Sequence, residues 1–255
     1  MSEEKGRAGT SFATKSSLKP PENFFPIVVD NFFSDPEMLV DYGKSLPKDP
    51  DEEGAWPGKR SKRLFEIDQA LQNIILLKIM SCYHDFGCLN IIREAVCDMG
   101  FQEISRFSEN KNDIRNRGWI HRDESEHQLA GLIYLTPNID PDSGTSLYNL
   151  KTNKYKDYTK YTSHKTYDQV DEEDYTKSLI KHEEYFFEKT RFQNIFNRLI
   201  MYDTHEWHRA NSYYNYDGED ARLTLGFFVA GLNVHPLKRI KKSIIKLRLE
   251  KNENK

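Results

Sequence analysis

Trp119-Ile120-His121-Arg122-Asp123-Glu124 sets a histidine and an aspartate two residues apart. In an extended segment alternate side chains leave the same face, so the His121 imidazole and the Asp123 carboxylate can converge on one ion. A third donor must then come from elsewhere in the chain. The stretch Tyr202-Asp203-Thr204-His205-Glu206-Trp207-His208 offers one. Two histidines and one carboxylate on one face of a metal, with the opposite positions open, is the arrangement expected of non-haem Fe(II) that takes up a cosubstrate and O2. A His-x-Asp pair alone also caps strands or meets solvent; the combination carries the reading.

Arg222 lies fourteen residues beyond His208 and heads the apolar run Leu223-Thr224-Leu225-Gly226-Phe227-Phe228-Val229, which reads as a buried strand. A guanidinium carried into an interior needs an anion, and its planar fork fits a carboxylate. The order His-x-Asp, long gap, His, short gap, Arg-x-Thr resembles the Fe(II)/2-oxoglutarate-dependent dioxygenases, and most closely their prolyl-4-hydroxylase-like branch, which includes virus-encoded members. Gly131-Leu132-Ile133-Tyr134-Leu135-Thr136, Ser143-Gly144-Thr145 (a Gly-Gly-Thr turn with one Gly replaced) and Asn197 to Asp203 resemble further parts of that pattern. The likeness spans roughly residues 100 to 232, and more weakly from residue 24.

The 255 residues are read as one domain over 23–236. Thirty-seven basic and 40 acidic residues leave a net charge of −3, so no global field recruits nucleic acid or an anionic membrane. Cys82, Cys88 and Cys97 lack metal-finger spacing and point to a reducing compartment. No apolar run reaches the roughly 20 residues of a membrane helix, and no hydrophobic signal core is seen, so a cytoplasmic protein is expected.

Residues 1–22, poor in apolar groups, are expected to form a disordered tail. A first strand is expected within Phe24 to Asp30, then a helix capped by Ser34 or Asp35, with Pro36 in its first turn, ending near Leu46. Asp49 to Lys62, with its prolines and glycines, reads as a loop in which Trp56 either borders the site or pins the loop. The apolar spacing predicts a long helix from Ile67 to Tyr83 and strands at Ile91–Val96, Gln102–Phe107 and Leu129–Leu135, with a turn over 137–144. Short strands with helices gathered in the first third indicate a mainly β fold with flanking α, a jelly roll buttressed by helices; the resemblance implies the same double-stranded β-helix.

Residues 149–190 break this pattern. Tyr and Lys alternate over 155–161 and Asp168 to Lys177 is acidic, which marks an insertion between the ligands. Three readings stand: a lid or substrate-selecting flap, a Lys-edged hairpin, and a grip on single-stranded nucleic acid, against which the overall charge balance argues. His127, His164 and His182 have no partner at ligand spacing and read as surface or structural. Leu237 to Lys251 sets Leu237, Ile240, Ile244 and Leu247 on one face beside seven Lys or Arg, a basic amphipathic helix within 237–255.

The resemblance implies that His121, Asp123 and His208 hold Fe(II), that Arg222 grips the far carboxylate of 2-oxoglutarate, and that Tyr134 and Thr224 add hydrogen bonds to it or are ordinary core. It implies decarboxylation to succinate, with O2 as second cosubstrate, coupled to hydroxylation of an unactivated C–H bond. The acceptor is a protein, peptide or small molecule, peptidyl proline among them. His205 competes with His208 as distal ligand; the short turn Thr204 to Trp207 and the shorter reach to Arg222 favour His208. A non-catalytic jelly-roll binding module would predict a damaged triad, and this one is intact. A Zn(II) hydrolase using the same ligands gives Arg222 no role.

Overall fold

A computed structural model describes residues 24–50, 57–83, 95–123, 127–151, 172–214 and 221–232. The N-terminal tail, Trp56, Cys88, His164, the Tyr/Lys stretch 155–161 and the basic C-terminal helix fall outside the described residues.

Alternation along three central strands organises the fold. On β10 (Ala221–Ala230), Leu223, Leu225, Phe227 and Val229 are buried in one apolar cluster, together with Leu129 and Ile133 of β5 (Leu129–Tyr134) and Leu199 and Met201 of β8 (Leu199–Asp203). The intervening residues, Ala130, Tyr134, Ile200 and Tyr202, belong to a second cluster on the opposite face. This period of two makes a sheet with two working faces. Its seven antiparallel strands run β1 (Ile27–Val29), β8, β5, β10, β4 (Val96–Ser105), β3 (Gly58–Ser61) and β2 (Lys48–Pro50).

The first face packs against α1 (Pro36–Ser45) and α3 (Gln69–Ser81) through Leu39, Ile75, Leu76, Ile79 and Met80. The second faces a smaller sheet in the order β7 (Phe186–Phe192), β6 (Thr145–Leu150) and β9 (Trp207–Ala210), which contributes Leu147 and Phe192. Two antiparallel sheets face to face, with helices behind the larger, form a mainly β double-stranded β-helix with flanking α, the architecture expected from the strand pattern. Among the described residues no helix is long and apolar enough to cross a membrane.

Helix α1 starts where its cap predicts, the Asp35 carboxylate accepting Met38 N–H behind Pro36. The structure refines several local boundaries. The helix expected over Ile67 to Tyr83 is present as α3, preceded by a separate short α2 (Leu64–Ile67); Asp68, at an extended φ of −153°, ends α2 and caps α3 by accepting Leu71 N–H at 2.9 Å. The stretch read as a loop over Asp49 to Lys62 carries the ends of a β2–β3 pair; β2 is an edge strand, where Pro50 costs no ladder bond. The strand read as Gln102–Phe107 belongs to a ten-residue β4 that starts at Val96 and continues through Gly100 because it pairs with β10 along its whole length, while residues 91–94 of the strand read as Ile91–Val96 lie outside the described residues. Both ends of the stretch read as an insertion are sheet: Asn149 and Leu150 close β6 and pair with Phe187 and Phe186 of β7, while α4 (Glu172–Glu183) precedes β7.

Asn197 fastens the turn before β8. At φ 60° it donates its backbone N–H to the Tyr134 carbonyl (2.8 Å), and its side chain bonds both Phe33 N–H (2.9 Å) and Phe33 C=O (2.8 Å). Asn197→Ala loses both side-chain bonds and leaves a left-handed backbone without the residue type that tolerates it, an expected loss of about 2–4 kcal/mol. Urea unfolding at constant m value checks this; an unmoved midpoint would show that the Phe33 contacts contribute nothing.

Candidate metal centre

His121 and His208 form an antiparallel pair at the end of the smaller sheet, each N–H donating to the other's carbonyl at 2.9 Å. Residues opposed in this way project side chains to the same face, and the two rings stand 4.4 Å apart between centroids. Asp123 follows two residues on, and its carboxylate oxygens lie 3.8 Å from His121 Nε2 and 3.5 Å from His208 Nε2. One donor atom from each residue falls within 4.8 Å of the others, and this is the one such group among the described residues. The spacing is a little wider than the about 3 Å edge of an octahedron built on bonds of about 2.1 Å.

The proton positions follow from the acceptors. His121 Nδ1 lies 2.9 Å from Trp119 O and His208 Nδ1 lies 3.0 Å from Glu206 O. A carbonyl only accepts, so each Nδ1 carries the proton and each Nε2 presents a lone pair toward Asp123. Both histidines thus use the same bond to the carbonyl two residues back. The His208 and Asp123 side chains are 8% and 12% exposed and that of His121 is 37%, so the group opens to solvent on the His121 side. Tyr202 packs its ring 4.8 Å from His208, and burial, with the Asp123 charge second, raises its hydroxyl well above the usual range.

His205 stands apart. Its side chain is 60% exposed and its Nδ1 meets Asp203 Oδ1 at 2.8 Å, so His208 is the histidine brought to His121 and Asp123. His127 rests against Phe228, and the buried His182 binds a backbone carbonyl through Nε2.

On β10, Arg222 and Thr224 share the face that looks to the smaller sheet, and Tyr134 lies across from Thr224. Arg222 is 2% exposed. Its Nη1 donates to Ser143 O at 2.9 Å, while its Nε and the Thr224 hydroxyl are buried without a hydrogen-bond partner among the described residues. Among the described residues no carboxylate pairs with it, and burial lowers its pKa, with Tyr134 and Tyr213 acting in the other direction. Tyr134 donates to Thr145 Oγ1 at 3.1 Å, and burial pushes its hydroxyl up to about 12.

The Ser143-Gly144-Thr145 turn fixes this end of the cleft. A Cβ on Gly144 would stand 1.9 Å from Phe192 O, so only glycine fits, and its carbonyl accepts Asn211 N–H at 2.7 Å. The Ser143 carbonyl and Tyr213 escaped the sequence reading, and for His182 it gave a surface or structural role without the partner. A carbonyl has no residue-type signature, and His182 meets its partner from 62 positions away.

The family model "Family of unknown function (DUF6445)" matches residues 19–229. The chain belongs to this family. No curated protein matches this DUF6445 chain. Its fold is similar to an oxidoreductase of the 2OG-Fe(II) oxygenase family from Burkholderia pseudomallei, at 8% identity over 83% of this chain and 87% of that one, with a TM-score of 0.43. It is also similar to HygX from Streptomyces hygroscopicus with nickel, 2-oxoglutarate and hygromycin B bound, at 12% identity, 83% and 84% coverage and a TM-score of 0.46. A prolyl hydroxylase in complex with a hypoxia inducible factor peptide fragment, from Trichoplax adhaerens, matches at 12% identity, 81% and 83% coverage and a TM-score of 0.45. These likenesses concern overall shape; the reading of each residue of the DUF6445 chain rests on the geometry above.

His208→Ala is expected to abolish tight Fe(II) binding, while His205→Ala retains the metal. Metal content after anaerobic reconstitution checks the pair, and the reverse result would move the third ligand by three residues.

Proposed function

We propose that this protein is an Fe(II)- and 2-oxoglutarate-dependent oxygenase that hydroxylates an unactivated C–H bond of a peptide or small-molecule acceptor. The observation that carries the reading is Arg222. A guanidinium stays charged at any working pH, and a buried charge without a counter-ion is costly. A ligand carboxylate supplies the missing anion on the face that looks toward the His121–His208 pair, and the unpartnered Arg222 Nε and Thr224 Oγ1 fit an oxygen-rich ligand. A Zn(II) hydrolase built on the same three ligands leaves that charge unexplained.

The residues divide the work. His121 and His208 would hold Fe(II) through Nε2, both tautomers set by backbone carbonyls, and Asp123 would contribute the one negative charge among the three donors. An ion held by these three donors alone would stay open to 2-oxoglutarate and O2. When bound, these groups supply the oxidative chemistry: one atom of O2 goes into succinate as CO2 is lost, and the other into the acceptor C–H bond.

Arg222 would orient 2-oxoglutarate by its far carboxylate. Tyr134, protonated near neutral pH because its hydroxyl is pushed up to about 12, remains a donor beside it. Thr224 offers a second hydroxyl on the same face. Ile200, Tyr202, Leu147 and Phe192 form an apolar wall between the sheets that limits water. The order of the ligands supports the prolyl-4-hydroxylase-like branch within this reading.

Anaerobic addition of Fe(II) and 2-oxoglutarate should produce the weak visible charge-transfer band of the chelate. Arg222→Ala should spare Fe(II) and weaken 2-oxoglutarate by about 2–4 kcal/mol, the scale of removing one partner of a buried charge pair. Tyr134→Phe should cost no more than about 0.5–1.5 kcal/mol, one neutral hydrogen bond. Titration of the band gives both constants; an Arg222→Ala protein with unaltered 2-oxoglutarate affinity would place the cosubstrate elsewhere.

A further inference from the structure

Residues 117–123 are not a strand of their own. They are held to β9 by the His121–His208 pair and by the bond from Gly118 N–H to Ala210 O. In that pairing the N–H and C=O of His121 turn toward β9, so those of Ile120 turn away, to the edge of the smaller sheet. A buried edge carbonyl needs a donor, and Ile120 is packed among Tyr148, Tyr185, Phe186 and Trp207.

The donor comes from α4. His182 Nε2 lies 2.7 Å from Ile120 O, and its ring is packed between Trp119 (4.9 Å) and Phe186 (5.1 Å). Tyr175, two turns earlier, accepts the Trp119 indole N–H at 2.5 Å and meets that ring edge-on. At the helix end Glu183 binds Arg209, the residue after His208, and lies 3.7 Å from Arg117. Arg209 is held from its other side by the Tyr148 hydroxyl at 2.9 Å. One helix therefore grips the segment before His121 and the residue after His208. Trp119, held through its indole, also provides the carbonyl that sets the His121 tautomer.

We propose that α4 is a clamp on the metal centre, with His182 and Glu183 as positioning residues for His121 and His208. The proposal rests on the metal-centre reading above. Without His182 the Ile120 carbonyl loses its donor, the 119–120 backbone is free to turn, and the carbonyl that orients His121 moves with it. Without the Glu183 charge Arg209 keeps only the Tyr148 hydroxyl, and the end of β9 beside His208 is held less firmly. Neither residue touches the ion; both fix the direction of Nε2 lone pairs.

Mn(II) binding to the metal-free protein, followed by loss of the free-ion EPR signal, tests the clamp without any turnover. His182→Ala should raise the Mn(II) Kd about 10- to 100-fold, the usual effect of removing a partner that orients a ligand. His182→Gln keeps an amide donor for the Ile120 carbonyl and should recover most of that loss. Glu183→Gln, a change at a partly exposed site, should raise the Kd by a smaller factor with the thermal midpoint of the metal-free protein unmoved, and it decides the matter if His182→Ala does not fold. Unchanged Mn(II) affinity in the Ala and Glu183→Gln proteins, beside a wild type that binds, overturns the clamp alone. A wild type that takes up no Mn(II) overturns the metal centre and the clamp with it.

Discussion

The pair of backbone hydrogen bonds between His121 and His208 is the contact on which the candidate site depends. A histidine-bearing segment with little ladder of its own is brought to the last strand of the smaller sheet, and the antiparallel pairing sends both imidazoles to one face. Asp123 reaches that face only because it stands two residues further along the same extended segment. A shift of one residue in this register would turn both His121 and Asp123 away together. The same local bond, Nδ1 to the carbonyl two residues back, then fixes each ring, so backbone geometry alone prepares two of the three donors.

The larger sheet makes this arrangement affordable by separating stability from chemistry. Its helix-facing side is occupied by leucine, isoleucine, methionine and phenylalanine from β4, β5, β8 and β10, packed on α1 and α3. Burial of that side supplies the dominant stabilising term in a fold of this size. The opposite side is mixed. Ala130, Ile200, Leu147 and Phe192 continue the apolar packing, whereas Arg222 and Thr224 bring buried polar atoms that no group among the described residues satisfies. Each such atom is a cost of about 1–3 kcal/mol in the ligand-free chain, carried by the strength of the helix-facing core, and the anionic ligand proposed above would remove it.

Local chemistry was legible in the sequence wherever a residue acts on near neighbours. Asp35 with Pro36 marks the start of α1, the apolar run after Arg222 marks β10, and Leu199 to Asp203 marks β8; His-x-Asp at extended spacing brings its two side chains together as the period requires. What escaped depends on partners far away. Lys48 to Pro50 pairs as an edge strand, where a proline is harmless, although its composition is that of a loop. Ser143 enters the site by its carbonyl, which no side chain announces. The resemblance to the prolyl-4-hydroxylase-like branch rests on ligand order, whereas the family that matches the chain is DUF6445.

The position of α4 gives the least regular part of the chain a physical task. Most of its grip is made by groups that would be poor choices for a plain core helix: Tyr175 for its hydroxyl, His182 for one ring nitrogen, Glu183 for its charge. A helix that only covered the smaller sheet would need none of them, since Leu179 and the neighbouring aromatics already exclude water. Polar side chains are retained against packed surfaces where direction matters more than adhesion, because a hydrogen bond fixes an angle that apolar contact leaves loose. Here the groups so fixed are Trp119, Ile120 and Arg209, the first two immediately before one histidine and the last immediately after the other. The segment that departs most from the regular strand pattern is thus joined to the one place in the fold where a small rotation of backbone would scatter the donors.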